Sequence, residues 1–231
     1  MGLIVIGIFF MIVGSIVSSR LKSKFKEYSQ TPLNKNLTGA DIARLMLADN
    51  GITDVKVVQV DGKLTDHYNP ATKTVSLSSE VYNGRNAAAA AVASHECGHA
   101  VQHATAYSML EFRSAMVPVQ NITSRIMNII FFAMMFGAFA IEGLFSFDTA
   151  ILVIIGCYSV FALFALITLP VEFDASKRAL AWVQQRGIVN SDEYDMAKDA
   201  LKWAAMTYVV AAIAALASLM YWVMIFLARR D

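Results

Sequence analysis

Four long apolar runs constrain this chain more than any other feature. They are 2–19 (GLIVIGIFFMIVGSIVSS), about 126–145 (IMNIIFFAMMFGAFAIEGLF), 150–170 (AILVIIGCYSVFALFALITLP) and about 204–228 (AAMTYVVAAIAALASLMYWVMIFLA). Crossing about 30 Å of hydrocarbon on a helix takes roughly 20 apolar residues, and each run is of that order. The composition agrees, with 57% hydrophobic and 16% charged residues, where soluble domains carry roughly 25% charged. The expected architecture is a mainly α, integral membrane protein. It has about four transmembrane helices and a small α+β domain with a short β-sheet.

The first run has no basic residues ahead of it, so it reads as a span and not as a cleaved signal. Arg20, Lys22, Lys24 and Lys26 follow it, and the positive-inside rule places that flank in the cytoplasm with the N-terminus outside. Alternation gives the segments 1–19 (span), 20–125 (cytoplasmic domain), 126–170 (hairpin of two spans), 171–203 (cytoplasmic helical segment) and 204–231 (last span and tail). The loop carrying Glu142 and Asp148 falls outside, as do Arg229 and Arg230, which run against the rule. A net charge of +1 gives no argument for a nucleic-acid partner. Cys97 and Cys157 form no CxxC and no disulfide framework, and both read as small buried apolar residues.

Between the spans, 38–50 has helix signals, with Thr38 as N-cap, Asp41 three residues on and Gly51 as the stop. VKVVQV at 55–60 and KTVSLS at 73–78 are strand-like, separated by turn signals at Asp61-Gly62 and Asn69-Pro70. They predict a two- or three-stranded sheet, with 73–78 as an edge strand open to an extended peptide. Asn86 to about Ala106 reads as a helix, while Pro118 interrupts 107–125 and Pro170 breaks or kinks the chain after the third run. Val171–Arg186 reads as a helix stopped by Gly187, and Ser191 as the cap of a last helix running on into the fourth span.

The chemistry is concentrated in AVASHECGHAVQHA at 91–104, which holds three of the chain's four histidines. On a helix, residues i and i+4 share a face about 6 Å apart along the axis. His95 and His99 can therefore offer both imidazoles to one zinc ion. Glu96, about 100° round the helix, can take a proton from water that the metal acidifies. Small neighbours (Ala93, Ser94, Gly98, Ala100) let this helix pack closely. His103 lies about 12 Å from His95 along the axis, too far to complete the same site, and reads as a supporting or hydrogen-bonding residue. A catalytic zinc takes three protein ligands, and the third must come from elsewhere. Glu172 in VEFDASKRAL ranks ahead of Asp174 and His67, because few carboxylates occupy so apolar a context.

Together, HECGH at 95–99, LTDHYNPATKTVSLSSEVYN before it and EFDAS at 172–176 resemble the YugP-type neutral zinc metallopeptidases of bacteria. More distantly they resemble the gluzincin-like membrane proteases of the heat-shock HtpX and CAAX-processing types. The resemblance covers nearly the whole chain. It implies one zinc held by His95, His99 and Glu172, with Glu96 as general base. The distant relatives place an acidic residue four after the ligand glutamate, where this chain has Ser176. That leaves Asp174 or Ser176 to support a ligand histidine.

The resulting expectation is a multi-pass plasma-membrane zinc endopeptidase with its site on the cytoplasmic side. It would act on membrane or membrane-associated proteins or peptides in contact with the bilayer. His67, Tyr68 and Arg178 are the candidate donors to the developing oxyanion, although Arg178 can instead pair with Asp174 at i, i+4. The rival expectation is a non-catalytic scaffold or chaperone around a structural zinc, which would need a fourth protein ligand from His103, His67 or Cys97. A transporter is disfavoured by spans so poor in ionisable residues. No oligomeric state follows from the sequence.

Overall fold

A computed structural model of the chain describes residues 2–135 and 147–229. The helices are α1 (Gly2–Tyr28), α2 (Gly39–Asp49), α3 (Ser79–Tyr82), α4 (Ala87–Ala104), α5 (Ser108–Met135), α6 (Phe147–Gln185) and α7 (Ser191–Leu227). The strands are β1 (Lys56–Val60), β2 (His67–Asn69) and β3 (Thr74–Ser78). Among the described residues, α1, α6 and α7 are long and apolar enough to cross a membrane. The second expected span, 126–145, starts within α5, and the rest of it, with Glu142, lies outside the described residues.

The residues form two compact units. One comprises Met1–Ser15, Phe112–Thr168 and Tyr208–Asp231, the other Ile16–Glu111 and Leu169–Thr207. The first unit is helical and presents large apolar side chains outward, with Met11 67% and Ile129 68% exposed. That is the surface expected of helices solvated by lipid, where apolar faces need no protein cover. In the same unit, Arg229 pairs with Asp148 at 3.0 Å, so the cation that runs against the positive-inside rule has a carboxylate partner.

The second unit is built around α4. Its N-cap Asn86 accepts from the Ala89 backbone N–H at 2.8 Å, and the alanines that follow are buried. On one side α4 packs with β3 and α2, burying Val75, Leu77, Ala43, Met46 and Leu47 with Ala93 and Cys97. Each fully buried Val or Leu contributes about 2 kcal/mol. Along its length, Ala87, Ala88 and Ala91 pack against Ala179, Ala197, Ala200 and Leu201 of α6 and α7. Alanine is the residue that permits this: a good helix former whose single methyl lets neighbouring helices approach. The closest approach is at Gly98, where a Cβ would lie 2.5 Å from the Ala175 carbonyl oxygen. This contact lays α6 across the histidine-bearing turn of α4.

The sheet has the order β1-β3-β2, with β1 parallel and β2 antiparallel to β3. The expected edge strand at 73–78 is therefore the central one, flanked on both sides. The alternation of KTVSLS misled because Ser76 and Ser78 are buried as well as Val75 and Leu77. Asp66 accepts from the Ser78 N–H at 2.7 Å and from its hydroxyl at 3.0 Å, tying the start of β2 to the end of β3. Burial raises the Asp66 carboxyl above its ordinary range, and the Ser78 bonds oppose that.

Three further expectations need correction: Pro118 does not interrupt α5, Pro170 does not break α6, and Ser191 is not the cap of the last helix. Each proline removes one backbone bond, to the Ser114 and Leu166 carbonyls respectively, and long apolar helices tolerate that loss. The last helix is capped by Asn190, not Ser191: the Asn190 side chain accepts from the Glu193 N–H at 2.9 Å and Glu193 reaches back to the Asn190 N–H at 2.8 Å. The other signals hold. Thr38 and Asp41 form a reciprocal capping box on α2. α6 ends at Gly187 with φ +64 and a 2.9 Å bond from the Ile188 N–H to the Val183 carbonyl, the Schellman arrangement.

Candidate metal centre

α4 and α6 bring three donors together within the second unit. Nε2 of His95 lies 3.3 Å, and Nε2 of His99 3.6 Å, from Oε2 of Glu172. The two imidazoles stand nearly perpendicular, with centroids 4.8 Å apart. One ligand atom from each residue falls within 4.8 Å of the others. The two His–Glu172 separations suit a zinc ion, since a tetrahedron with bonds of about 2.0–2.1 Å has edges of about 3.4 Å, and the group as a whole spans up to 4.8 Å. Two imidazoles and a carboxylate, all nearly buried, are also a donor set that zinc prefers. No described fourth His, Cys, Asp or Glu joins the group.

The far nitrogen of each histidine has its own partner. His95 Nδ1 meets the Ser176 hydroxyl at 3.1 Å, and His99 Nδ1 meets Oε1 of Gln102 at 3.0 Å. Fully buried Gln102 is held in turn, its amide N–H group donating to the Val171 carbonyl at 2.8 Å and to Asp174 at 2.9 Å. Asp174 then accepts from Arg178 Nε at 2.6 Å, and that guanidinium lies over the Tyr107 ring. Such partners fix which nitrogen faces the metal. Ser176 therefore supports His95 directly, while Asp174 acts one link removed, through Gln102. The role of Gln102 escaped the sequence reading. The available signal was a polar side chain one turn after His99, on a helix otherwise lined with alanine on its buried faces.

Burial opposes charge on His99, but the Glu172 carboxylate and the negative charge of Glu96 outweigh it and raise its imidazole above the ordinary value. Glu96 is 9% exposed, next to His95 in sequence and outside the three-donor group.

The remaining candidates are not among the three donors and have partners of their own. His67 is exposed, with Nδ1 on the Thr65 carbonyl at 2.8 Å. Tyr68 packs against the core beside α4 and bonds Nδ1 of His103 through its hydroxyl at 2.7 Å. Arg178 takes the Asp174 pairing. Cys97 is fully buried with its thiol at the Ala43 carbonyl, and burial pushes that thiol far above its ordinary value. It is a packing residue.

Residues 3–227 match the family described as "Putative neutral zinc metallopeptidase". The chain is 41% identical over 213 residues to the "Putative membrane protease YugP" of Bacillus subtilis (strain 168), covering 92% of this chain and 91% of that protein. No solved structure matches it significantly. A family match over almost the entire length, on a chain whose two helices gather His95, His99 and Glu172 into one metal-sized cluster, means that this protein belongs to the neutral zinc metallopeptidase family so described.

Proposed function

We propose that this chain is a multi-pass membrane zinc endopeptidase that hydrolyses peptide bonds of membrane or membrane-associated proteins, with its site on the cytoplasmic side. The observation that carries the reading is the three-donor cluster with Glu96 alongside. Three protein donors are the complement of catalytic zinc sites, whereas structural sites close around four. The scaffold reading lacks its fourth ligand among the described residues, since Cys97 faces Ala43, His103 bonds Tyr68 and His67 is turned to solvent.

His95, His99 and Glu172 would hold the ion, which when bound supplies a Lewis acid that polarises the scissile carbonyl and acidifies water. Glu96 accepts a proton from the attacking water and delivers it to the leaving amine. Ser176 and Gln102 keep the imidazoles oriented throughout. Tyr68, His67 and Arg178 are the candidate oxyanion donors, each with a partner of its own in His103, Thr65 and Asp174. The basic flank after the first span and the Asp148–Arg229 pair support the cytoplasmic placement of 20–125 and 171–203.

The test is purification in detergent, metal analysis and digestion of an unstructured protein such as casein. Glu96→Gln should retain one zinc per chain and lose roughly 100- to 10,000-fold in turnover. Glu172→Ala should lose the metal. Normal cleavage by Glu96→Gln would overturn the enzymatic reading.

A further inference from the structure

We infer that the groove between α6 and α7 is a binding site for an acidic phospholipid. A cavity of about 480 Å³ opens there, and its lining carries Lys177, Lys198 and Lys202 but no carboxylate. All three lysines are exposed, and none forms an ion pair among the described residues. Of the acids three residues before each lysine, Asp174 is held by Arg178 and Asp199 by Tyr28 and Lys24, while Asp195 is exposed and does not line the groove. The floor is apolar, with Leu201 and Met206 from α7 and Phe173 from α6.

The order of these groups along each helix identifies the occupant. On α6 the apolar run 150–170 ends just before Phe173, and Lys177 follows Phe173 one turn further out. On α7, read back from the last span, Met206, Lys202 and Lys198 succeed one another at i, i+4. Both helices therefore place an apolar side chain on the span side and a cation one turn, about 6 Å, beyond it. That is the order of an amphiphile entering from the bilayer, with acyl chains against Phe173 and Met206 and a phosphate among the lysines. A soluble acidic peptide would need the cations but not the gradient. Half-exposed Phe173, at 49%, is the side chain left uncovered without such a ligand. Ser176 lines the same groove and bonds His95, so the site adjoins the metal cluster. The inference rests on the membrane setting and stands whether or not the chain is a peptidase.

The full chain in detergent would be examined by native mass spectrometry, titrated with phosphatidylglycerol or phosphatidylcholine. The wild type should retain phosphatidylglycerol in clear preference. Lys177→Gln, Lys198→Gln and Lys202→Gln together should weaken that retention roughly 100-fold, about fivefold per lysine. The three corresponding Lys→Arg changes should keep it. Lys22→Gln with Lys26→Gln, which removes basic charge from α1 instead, should leave it within about twofold. Should the triple Gln variant fail to fold by circular dichroism, Lys198→Gln alone should still show its fivefold loss. Retention unchanged in the folded Gln variants, equal retention of both lipids, or displacement of phosphatidylglycerol by an acidic peptide at equal concentration would each overturn the assignment.

Discussion

Helices α1 and α4 are both apolar, yet they use that property in opposite ways. In α1, Ile4, Phe9 and Met11 stand out from the helix, mostly exposed. In α4, the run Ala87–Ala91 and then Ala93 and Cys97 are buried, and the helix touches protein on nearly every side. The difference is side-chain size. Large branched side chains make a helix that lipid can solvate, with no demand for fitted neighbours. Methyl groups and a glycine make a helix that other backbones can approach, and only such a helix can hold two imidazoles against a carboxylate from another element. Apolarity alone does not separate the outward-facing helix from the one that carries the histidine cluster; volume does.

The strongest way to break the comparison is to add volume to α4. Gly98→Val would drive a branched side chain into the Ala175 backbone, which cannot turn aside as a side chain could. The expected cost is about 3 kcal/mol or more, with Glu172 displaced and zinc lost. Thermal unfolding and metal content both report it. A folded Gly98→Val protein with one zinc per chain would mean that close approach of α4 and α6 does not build the site.

Next in size are the residues that orient the imidazoles. Gln102→Leu keeps the volume but removes the group that meets His99 and leaves the Val171 carbonyl without its donor. Metal affinity should fall about 10- to 100-fold, measured by competition with a chelator. Ser176→Ala removes a partner of His95 that sits in a more open place, and its loss should be about 10-fold or less. Equal affinities in wild type and both variants would mean that packing alone orients the ligands. Smaller still is Cys97→Ala, which trims a buried sulfur and should cost about 1 kcal/mol with metal and turnover intact. In the folded protein the Cys97 thiol should resist alkylation, and rapid labelling without unfolding would contradict its burial.

Much of the site was legible because its residues announce their chemistry. Two histidines at i, i+4 point to a metal face, and a carboxylate beside an apolar run invites attention, as Glu172 and Asp174 do; the fold brings Glu172 to the histidines. The cap of α2 was readable because Thr38 has few other reasons to sit there, whereas the fold makes Asn86, read as the first residue of its helix, the cap of α4. Gln102 was not readable, since a neutral amide looks alike on a wet surface and in a buried network; only the fold shows Val171 and Asp174 within its reach. The place of β3 in the sheet was hidden for a related reason. Small serines bury as easily as they expose, so KTVSLS alternates in polarity without alternating in burial. The two prolines were read by a rule from soluble helices, and long apolar helices absorb the lost bond.

The finest version of the comparison uses one substitution at two glycines. Gly14 in α1 has nothing within 4 Å of the place where a Cβ would stand. Gly14→Ala therefore meets no clash and reduces the freedom of the unfolded backbone, which in a helix is a gain of about 0.5–1 kcal/mol. Gly98→Ala adds the same methyl at the same kind of helical position and meets the Ala175 carbonyl. The two changes share propensity and differ only in what surrounds them, so their unfolding midpoints should move in opposite directions from wild type. If both moved upward, α4 would have room that its contacts deny. If both moved downward, α1 would be packed against protein at Gly14, and size would no longer distinguish the outward-facing helix from the helix that carries the histidine cluster.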